Sequence, residues 1–246
     1  AIDRARPFGR TADGPFAAAI DGENLILRAR HALQATVPDV RLGHVHLTKR
    51  LPVAAGLGGG SADAAAFLRA IAHANAREVA RFDLSAFAAR LGADVPVCLM
   101  QQTALMWGIG ERIAPLPPLP PSCVVLVNPG VPLATAPVFK ALAASHLGTA
   151  VPADPALPHT FATFASLIEY VRGIGNDLQA PAISLCPTIG EVLAAVAAEP
   201  GCAHAAQSGS GPTVYGLFAD RTAADTAAAR IAAHHPNWWT VATALA

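Results

Sequence analysis

The sequence predicts an α+β protein of two subdomains, and three observations carry that expectation. Helical periodicities alternate with short strand-like runs, a mixture that reads as α+β in two layers. A proline-rich link, Pro115 to Pro121, interrupts the chain near its middle. A glycine-rich turn at Gly56 to Gly60 joins a strand to a helix. The expected division is residues 1–105 and 106–246, with the last strand returning to the first subdomain.

Taken in order, Asn24 can cap a helix from Leu25 to Gln34, where Leu25, Ile26, Ala29, Ala32 and Leu33 share one apolar face. No periodic segment precedes it. Val45 and Leu47, alternating with His44, His46 and Thr48, read as a half-buried strand. Beyond the glycines, Ser61 or a neighbour opens an alanine-rich helix reaching Ile71. A shorter helix begins at Asp83 or Ser85 and stops at Gly92 through a left-handed cap, leaving Asp94 just past its end. Ala104 to Trp107 and Val124 to Val127 are expected strands, the second ended by Asn128-Pro129-Gly130. Helices are expected over 137–144, 161–171, 189–198 and 222–234, strands over 214–218 and 239–242, and a surface loop over 152–158.

Composition restricts the partners. Seventeen basic residues balance seventeen acidic ones. No basic run is present to neutralise a nucleic-acid backbone, so a small-molecule partner is expected and a nucleic-acid partner is not. Apolar runs are too short to span a bilayer, so no membrane role is expected. Cys98, Cys123, Cys186 and Cys202 lack both metal-ligand and disulfide spacing and read as reduced thiols. No signal-peptide pattern opens the chain, which points to the cytoplasm. The chain begins at Ala1 without methionine, and part of the protein is expected upstream. Oligomeric state has no signature in the sequence.

The strongest chemical signal is Pro52, Val53, Ala54, Ala55, Gly56, Leu57, Gly58, Gly59, Gly60, Ser61, Ala62 and Asp63. Consecutive backbone N–H groups free of Cβ obstruction can curl around phosphate oxygens, and the following helix adds the positive end of its dipole. A P-loop needs a lysine before the serine, and a dinucleotide fingerprint needs glycine or alanine where Ser61 stands. Neither condition is met. The bland alternative is a tight turn that uses glycine for clearance alone.

Pro52-x-x-x-Gly56-Leu57-Gly58-Gly59-Gly60-Ser61 resembles the central phosphate-binding motif of the GHMP kinases. With Leu91-Gly92-Ala93-Asp94-Val95-Pro96, it is similar to the diphosphocytidyl-methylerythritol kinases more than to the homoserine or mevalonate kinases. Further matches follow in family order: Glu23-Asn24-Leu25-Ile26, Lys49-Arg50-Leu51-Pro52, Gly108-Ile109-Gly110-Glu111, Pro129-Gly130-Val131, Gly175-Asn176-Asp177-Leu178 and Ser208-Gly209-Ser210-Gly211.

The resemblance implies a two-subdomain GHMP fold with the nucleotide and substrate cleft between subdomains. It implies transfer of the ATP γ-phosphoryl group to the 2-hydroxyl of 4-diphosphocytidyl-2-C-methyl-D-erythritol, with Mg²⁺ accompanying ATP. Asp94 would accept the hydroxyl proton. Pro52 to Asp63, Asn24 and Lys49 would bind ATP, with Ser61 as a metal or phosphate contact. Thr135 and Phe139 would approach the cytidine-bearing substrate, and Ser208, Gly209, Ser210 and Gly211 would close over its phosphates. The metal ligands are not specified.

The family pattern also begins with a lysine-bearing strand and an Asp-Gly-Tyr-His segment, and neither occurs here, since the only lysines are Lys49 and Lys140. A fragment, an unrecorded leader and an inactive relative are the alternatives. The competing functions are a homoserine- or mevalonate-type kinase, a nucleotide-binding relative without turnover, and a structural or nucleic-acid-binding domain.

Overall fold

The computed structural model describes residues 2–3, 8–20, 22, 24–37, 39–76, 79–80, 82–108, 110–142 and 160–245. The chain separates into two compact units. The first comprises Ala1–Val53 and Gly58–Pro115, and the second Ala54–Leu57 and Leu116–Ala246. The expected boundary at 105/106 falls inside a strand. The first unit instead runs ten residues further because Ala104–Trp107 pairs with Arg112–Pro115 as an antiparallel hairpin.

In the first unit, β1 (Ile2–Asp3), β3 (His44–Thr48) and β2 (Gly9–Asp13) form a sheet in the order β1-β3-β2. β2 runs parallel to β3 with Gly9 opposite His44 and Asp13 opposite Thr48. A parallel pair needs a crossover, and α1 (Leu25–Thr36) supplies it. Helices α2 (Gly59–Ala74), α3 (Leu84–Leu91) and α4 (Val95–Met100) follow, then the hairpin β4 (Ala104–Trp107) and β5 (Arg112–Pro115).

The apolar stripe of α1 holds: Ile26, Ala29 and Leu33 are buried with Ala64, Phe67, Leu68 and Ile71 of α2, Phe87 and Leu91 of α3, and Val95 of α4. Each such large side chain contributes about 1.5–3 kcal/mol by leaving water. Asn75, fully buried at the end of α2, accepts the Arg41 N–H at 2.8 Å and donates to the Arg41 carbonyl at 2.9 Å. That exchange pins the approach to β3.

In the second unit, β6 (Ser122–Asn128), β7 (His204–Gln207), β8 (Val214–Phe218) and β9 (Trp239–Leu245) form an antiparallel sheet in the order β7-β8-β6-β9. The last strand therefore stays in this unit, pairing Ser122 with Leu245 through Asn128 with Trp239. The sequence predicts its return to the first; among the described residues it pairs only with β6.

The unbroken Val124-Val125-Leu126-Val127 run is explained by burial on both faces. Cys123, Val125 and Val127 pack with Val214, Phe218, Ile189, Val192, Val196 and Ile231. Val124 and Leu126 pack on the other side with Leu217 and Ile168. The helices are α5 (Thr135–Ala141), α6 (Phe164–Ile174), α7 (Gln179–Leu185), α8 (Thr188–Ala197) and α9 (Arg221–His234).

Several local expectations change. α6 starts at Phe164, three residues later than predicted, because Thr163 and Ser166 form a reciprocal capping box. Gly92 is extended, with φ 169° and ψ 153°, so no left-handed cap ends α3. The loop over 152–158 and the end of the helix over 137–144 lie outside the described residues.

Candidate active site

The glycine-rich segment opens α2 two residues earlier than the sequence suggests. Gly58, left-handed at φ 62°, occupies the N-cap position, and its carbonyl accepts the first helical bond from the Ala62 N–H at 2.9 Å. The N–H groups of Gly59, Gly60 and Ser61 have no intrahelical acceptor, and no side chain caps this end. Three backbone donors at the positive end of a sixteen-residue helix are thus left for an anion.

Asp94 stands beside them. A methyl group built on Gly58 would lie 3.8 Å from the Asp94 carboxylate oxygen Oδ2. The side chain is exposed, and although Asp94 occupies the N-cap position of α4 it makes no capping hydrogen bond. An Asp at that position ordinarily caps. Here its carboxylate remains available.

The packing of α4 on α2 sets this approach. Arg69 on α2 donates to the Cys98 carbonyl on α4 at 2.8 Å. Gly110, at φ 97°, lets the hairpin turn close on Ala93, where an added Cβ would lie 2.8 Å from the Ala93 Cβ. Burial first and the Asp94 charge second push the Cys98 thiol above its usual range, against the opposing effect of Arg69.

Lys49 is buried at the end of β3 and donates to Asp63 Oδ2 at 2.7 Å. A Cβ on Gly59 would lie 3.4 Å from its Nζ. The ordinary solvated lysine is excluded: this one ties β3 to the first turns of α2. Asn24 caps α1, its Oδ1 accepting from the Leu27 N–H at 3.1 Å. Its Nδ2 is buried without a partner among the described residues.

In the second unit, the short stretch Ala54–Leu57 packs on the turn after β7. Ser208 Oγ donates to the Gly56 carbonyl at 2.8 Å, and the Thr213 N–H reaches the Ala55 carbonyl at 3.4 Å. Gly56, at φ 72°, is required sterically, since a Cβ there would lie 2.6 Å from the Gly211 carbonyl oxygen and 2.7 Å from that of Ser208. Thr135 Oγ1 and Ser210 Oγ share a hydrogen bond of 2.9 Å. Phe139, one helical turn beyond Thr135 on α5, is 51% exposed.

The structure therefore brings Asp94, Lys49 and Asp63 together with Gly58, Gly59 and Gly60 in one unit, and Gly56, Ser208, Gly209, Ser210, Gly211 and Thr135 in the other. Pro52 and Val53 precede the first left-handed residue, Ala54, at φ 54°.

Residues 24–102 match the family model for the GHMP kinases N-terminal domain, and residues 157–237 match that for the GHMP kinases C-terminal domain. The chain is 48% identical over 247 residues to a 4-diphosphocytidyl-2-C-methyl-D-erythritol kinase of Methylobacterium radiotolerans, covering 99% of this chain and 84% of that one. The chain belongs to the GHMP kinase family.

A second 4-diphosphocytidyl-2-C-methyl-D-erythritol kinase, from Parvibaculum lavamentivorans, is 48% identical over 92% of this GHMP kinase and 78% of its own length. The crystal structure of a 4-(cytidine 5'-diphospho)-2C-methyl-D-erythritol kinase superimposes with a TM-score of 0.68 at 32% identity, covering 95% of this chain and 81% of that chain. Homoserine kinase from Cytophaga hutchinsonii, at 19% identity and TM-score 0.64 over 100% of this chain and 84% of that one, shares the fold. The expected α+β GHMP fold and kinase class hold. No helix among the described residues is long and apolar enough to cross a membrane.

Sequence reasoning missed the side chains that support the Ser208–Gly211 turn. Asn128 Nδ2 donates to Thr213 Oγ1 at 2.8 Å, and Gln179 Oε1 accepts the Gln207 N–H at 3.1 Å. Asn176 and Gln207 both reach Gly209. Asn176 carried a signal as part of Gly175-Asn176-Asp177-Leu178, whereas Gln179 and Gln207 belong to no pattern that periodicity or turn chemistry would select.

Proposed function

We propose that this GHMP kinase transfers the γ-phosphoryl group of ATP to the 2-hydroxyl of 4-diphosphocytidyl-2-C-methyl-D-erythritol, giving the 2-phosphate and ADP in the non-mevalonate route to isoprenoid precursors. The observation that carries this reading is the uncommitted Asp94 carboxylate beside the open N-terminus of α2. Kinship with the 4-diphosphocytidyl-2-C-methyl-D-erythritol kinases supports the acceptor.

The N–H groups of Gly59, Gly60 and Ser61 hold phosphate oxygens and stabilise the charge that spreads over them during transfer. Asp94 accepts the proton as the hydroxyl oxygen bonds to the γ-phosphorus and the bond to the ADP oxygen breaks. The Nδ2 of Asn24, buried without an acceptor among the described residues, is the donor for an acceptor atom of the nucleotide, and Lys49 shapes that side through its pairing with Asp63. Thr135 and Phe139 receive the cytidine end, where an exposed aromatic face suits a base.

Mg²⁺ bound with ATP would offset charge on its phosphates. The Ser61 hydroxyl, in the first turn of α2, is the protein atom that would reach it. The four free cysteines fit a cytoplasmic location.

The test is phosphorylation of 4-diphosphocytidyl-2-C-methyl-D-erythritol, homoserine and mevalonate in parallel, with labelled ATP. Transfer to the first is expected, and transfer only to either of the others rejects the assignment. Asp94→Asn is expected to abolish turnover while ATP affinity stays within about threefold, because the carboxylate serves the hydroxyl and not the nucleotide. Equal loss of ATP binding contradicts that role.

A further inference from the structure

The turn Ser208–Gly211 is held from beneath by two amide side chains that converge on one atom. The Gly209 carbonyl accepts from Asn176 Nδ2 at 2.9 Å and from Gln207 Nε2 at 3.0 Å. Asn176 is itself fixed at both ends, donating also to the Gln207 carbonyl at 2.9 Å and accepting the Leu178 N–H at 3.0 Å. Gln207 is only 2% exposed and packs under the turn, where a Cβ on Gly211 would lie 3.0 Å from its Cδ. Its Oε1 is buried with no partner among the described residues.

That orphaned oxygen argues against a purely structural role. A buried unpaired carbonyl destabilises a fold, and a hydrocarbon of the same length would fill the space without the penalty. What the hydrocarbon could not do is donate to Gly209. The Gly209-Ser210 peptide is planar and trans, so drawing its carbonyl toward Asn176 and Gln207 turns the Ser210 N–H the opposite way. The N–H groups of Gly209 and Ser210 have no acceptor among the described residues.

We infer that Gln207 and Asn176 are positioning residues that pin the Gly209 carbonyl and thereby present the Ser210 N–H to a phosphate oxygen of the bound ligand. The inference rests on the phosphoryl-transfer reading above and adds to it how this turn is aimed. The amides touch neither nucleotide nor acceptor; they act through one peptide plane. Because both converge on the same carbonyl, removing either disturbs the same donor.

The test uses Gln207→Met and Asn176→Asp in the full chain. Gln207→Met is expected to leave the melting temperature unchanged or raised and to lower kcat/KM for phosphoryl transfer about tenfold. The double variant is expected to lose far less than the product of the two single losses, since both act on one acceptor. In ¹⁵N spectra, the Ser210 amide signal of the free protein is expected to move in Gln207→Met. Its response to a non-hydrolysable ATP analogue or to inorganic pyrophosphate is expected to shrink.

Unchanged kcat/KM in Gln207→Met overturns the inference, as does an unmoved Ser210 signal in the free variant. An activity loss that tracks a lowered melting temperature assigns Gln207 to packing and overturns it as well. If the unmodified protein phosphorylates none of the three alcohols, the functional reading fails. The Ser210 signal in the free protein still decides whether the peptide is pinned.

Discussion

Gly56→Ala tests whether the glycines of the segment from Gly56 to Gly60 serve one purpose or two. The methyl group would arrive 2.6 Å from the Gly211 carbonyl oxygen and 2.7 Å from the Ser208 carbonyl oxygen, both backbone atoms that no rotamer change can move. Gly56 also sits at φ 72°, where an L-residue loses roughly 1–2 kcal/mol. Forcing an extra methyl into packed surroundings adds about 1–3 kcal/mol. The sum is about 2–5 kcal/mol, a large part of an ordinary domain's stability. At roughly 2–4 °C per kcal/mol for a chain of this size, the melting temperature should fall by about 4–20 °C. The matched control is Gly60→Ala, on a helical backbone whose nearest neighbour would be Leu25 Cδ1 at 3.7 Å. There alanine is favoured by about 1 kcal/mol in helix propensity, so the melting temperature should hold or rise. Calorimetry on both variants decides the matter, and a Gly56→Ala protein that melts within about 2 °C of the parent refutes the packing argument.

Two other substitutions examine the neighbouring parts. Gly59→Val should keep the fold, because the nearest atoms to its Cβ are side-chain ends of Leu51 and Lys49 at 3.4 Å, yet weaken ATP binding at least tenfold by crowding the donors of Ser61 and Gly60. Unchanged affinity by calorimetric titration in a folded variant counts against the cradle. Lys49→Met strands the Asp63 carboxylate, which retains 26% side-chain exposure, and should cost about 1–3 kcal/mol in urea unfolding. Adding Asp63→Leu should recover most of that loss, and no recovery would show that the pair is not what fastens β3 to α2.

The parts legible in the sequence are those with a local physical cause. The α1 stripe, the α2 opening and the β6 run are set by periodicity, glycine and β-branching; the first and last appear where expected, and α2 opens two residues early, at Gly59. β2 was not legible because Gly-Arg-Thr-Ala-Asp has no alternation and becomes a strand only through parallel pairing with the distant β3. α4 was hidden by Val95-Pro96-Val97, which reads as extended, although Pro96 lies in the first turn where its missing N–H costs nothing. α7 was hidden by Pro181 in the same way. Asp94 was singled out through its neighbours, but nothing in its spacing told that its side chain would be spared from capping.

The same distinction runs through the two glycine-rich turns. From Ala54 to Gly58 the backbone is left-handed at every second residue, with φ 54°, 72° and 62°. The steric demand at two of these three positions is met by glycine, so the conformation is written directly into the sequence. The Ser208–Gly211 turn likewise shows its glycines, at φ 53° and 81°, but its orientation is set by amides from 176, 179 and 207, and one of these lies 33 positions from the carbonyl it holds. Backbone conformation leaves a residue-type signature because only one residue tolerates it. Aim does not, because many side chains can donate a hydrogen bond and only the tertiary fold decides which of them is near. A turn proposed to take an anion on its own N–H groups therefore shows its glycines in the sequence and conceals what points it.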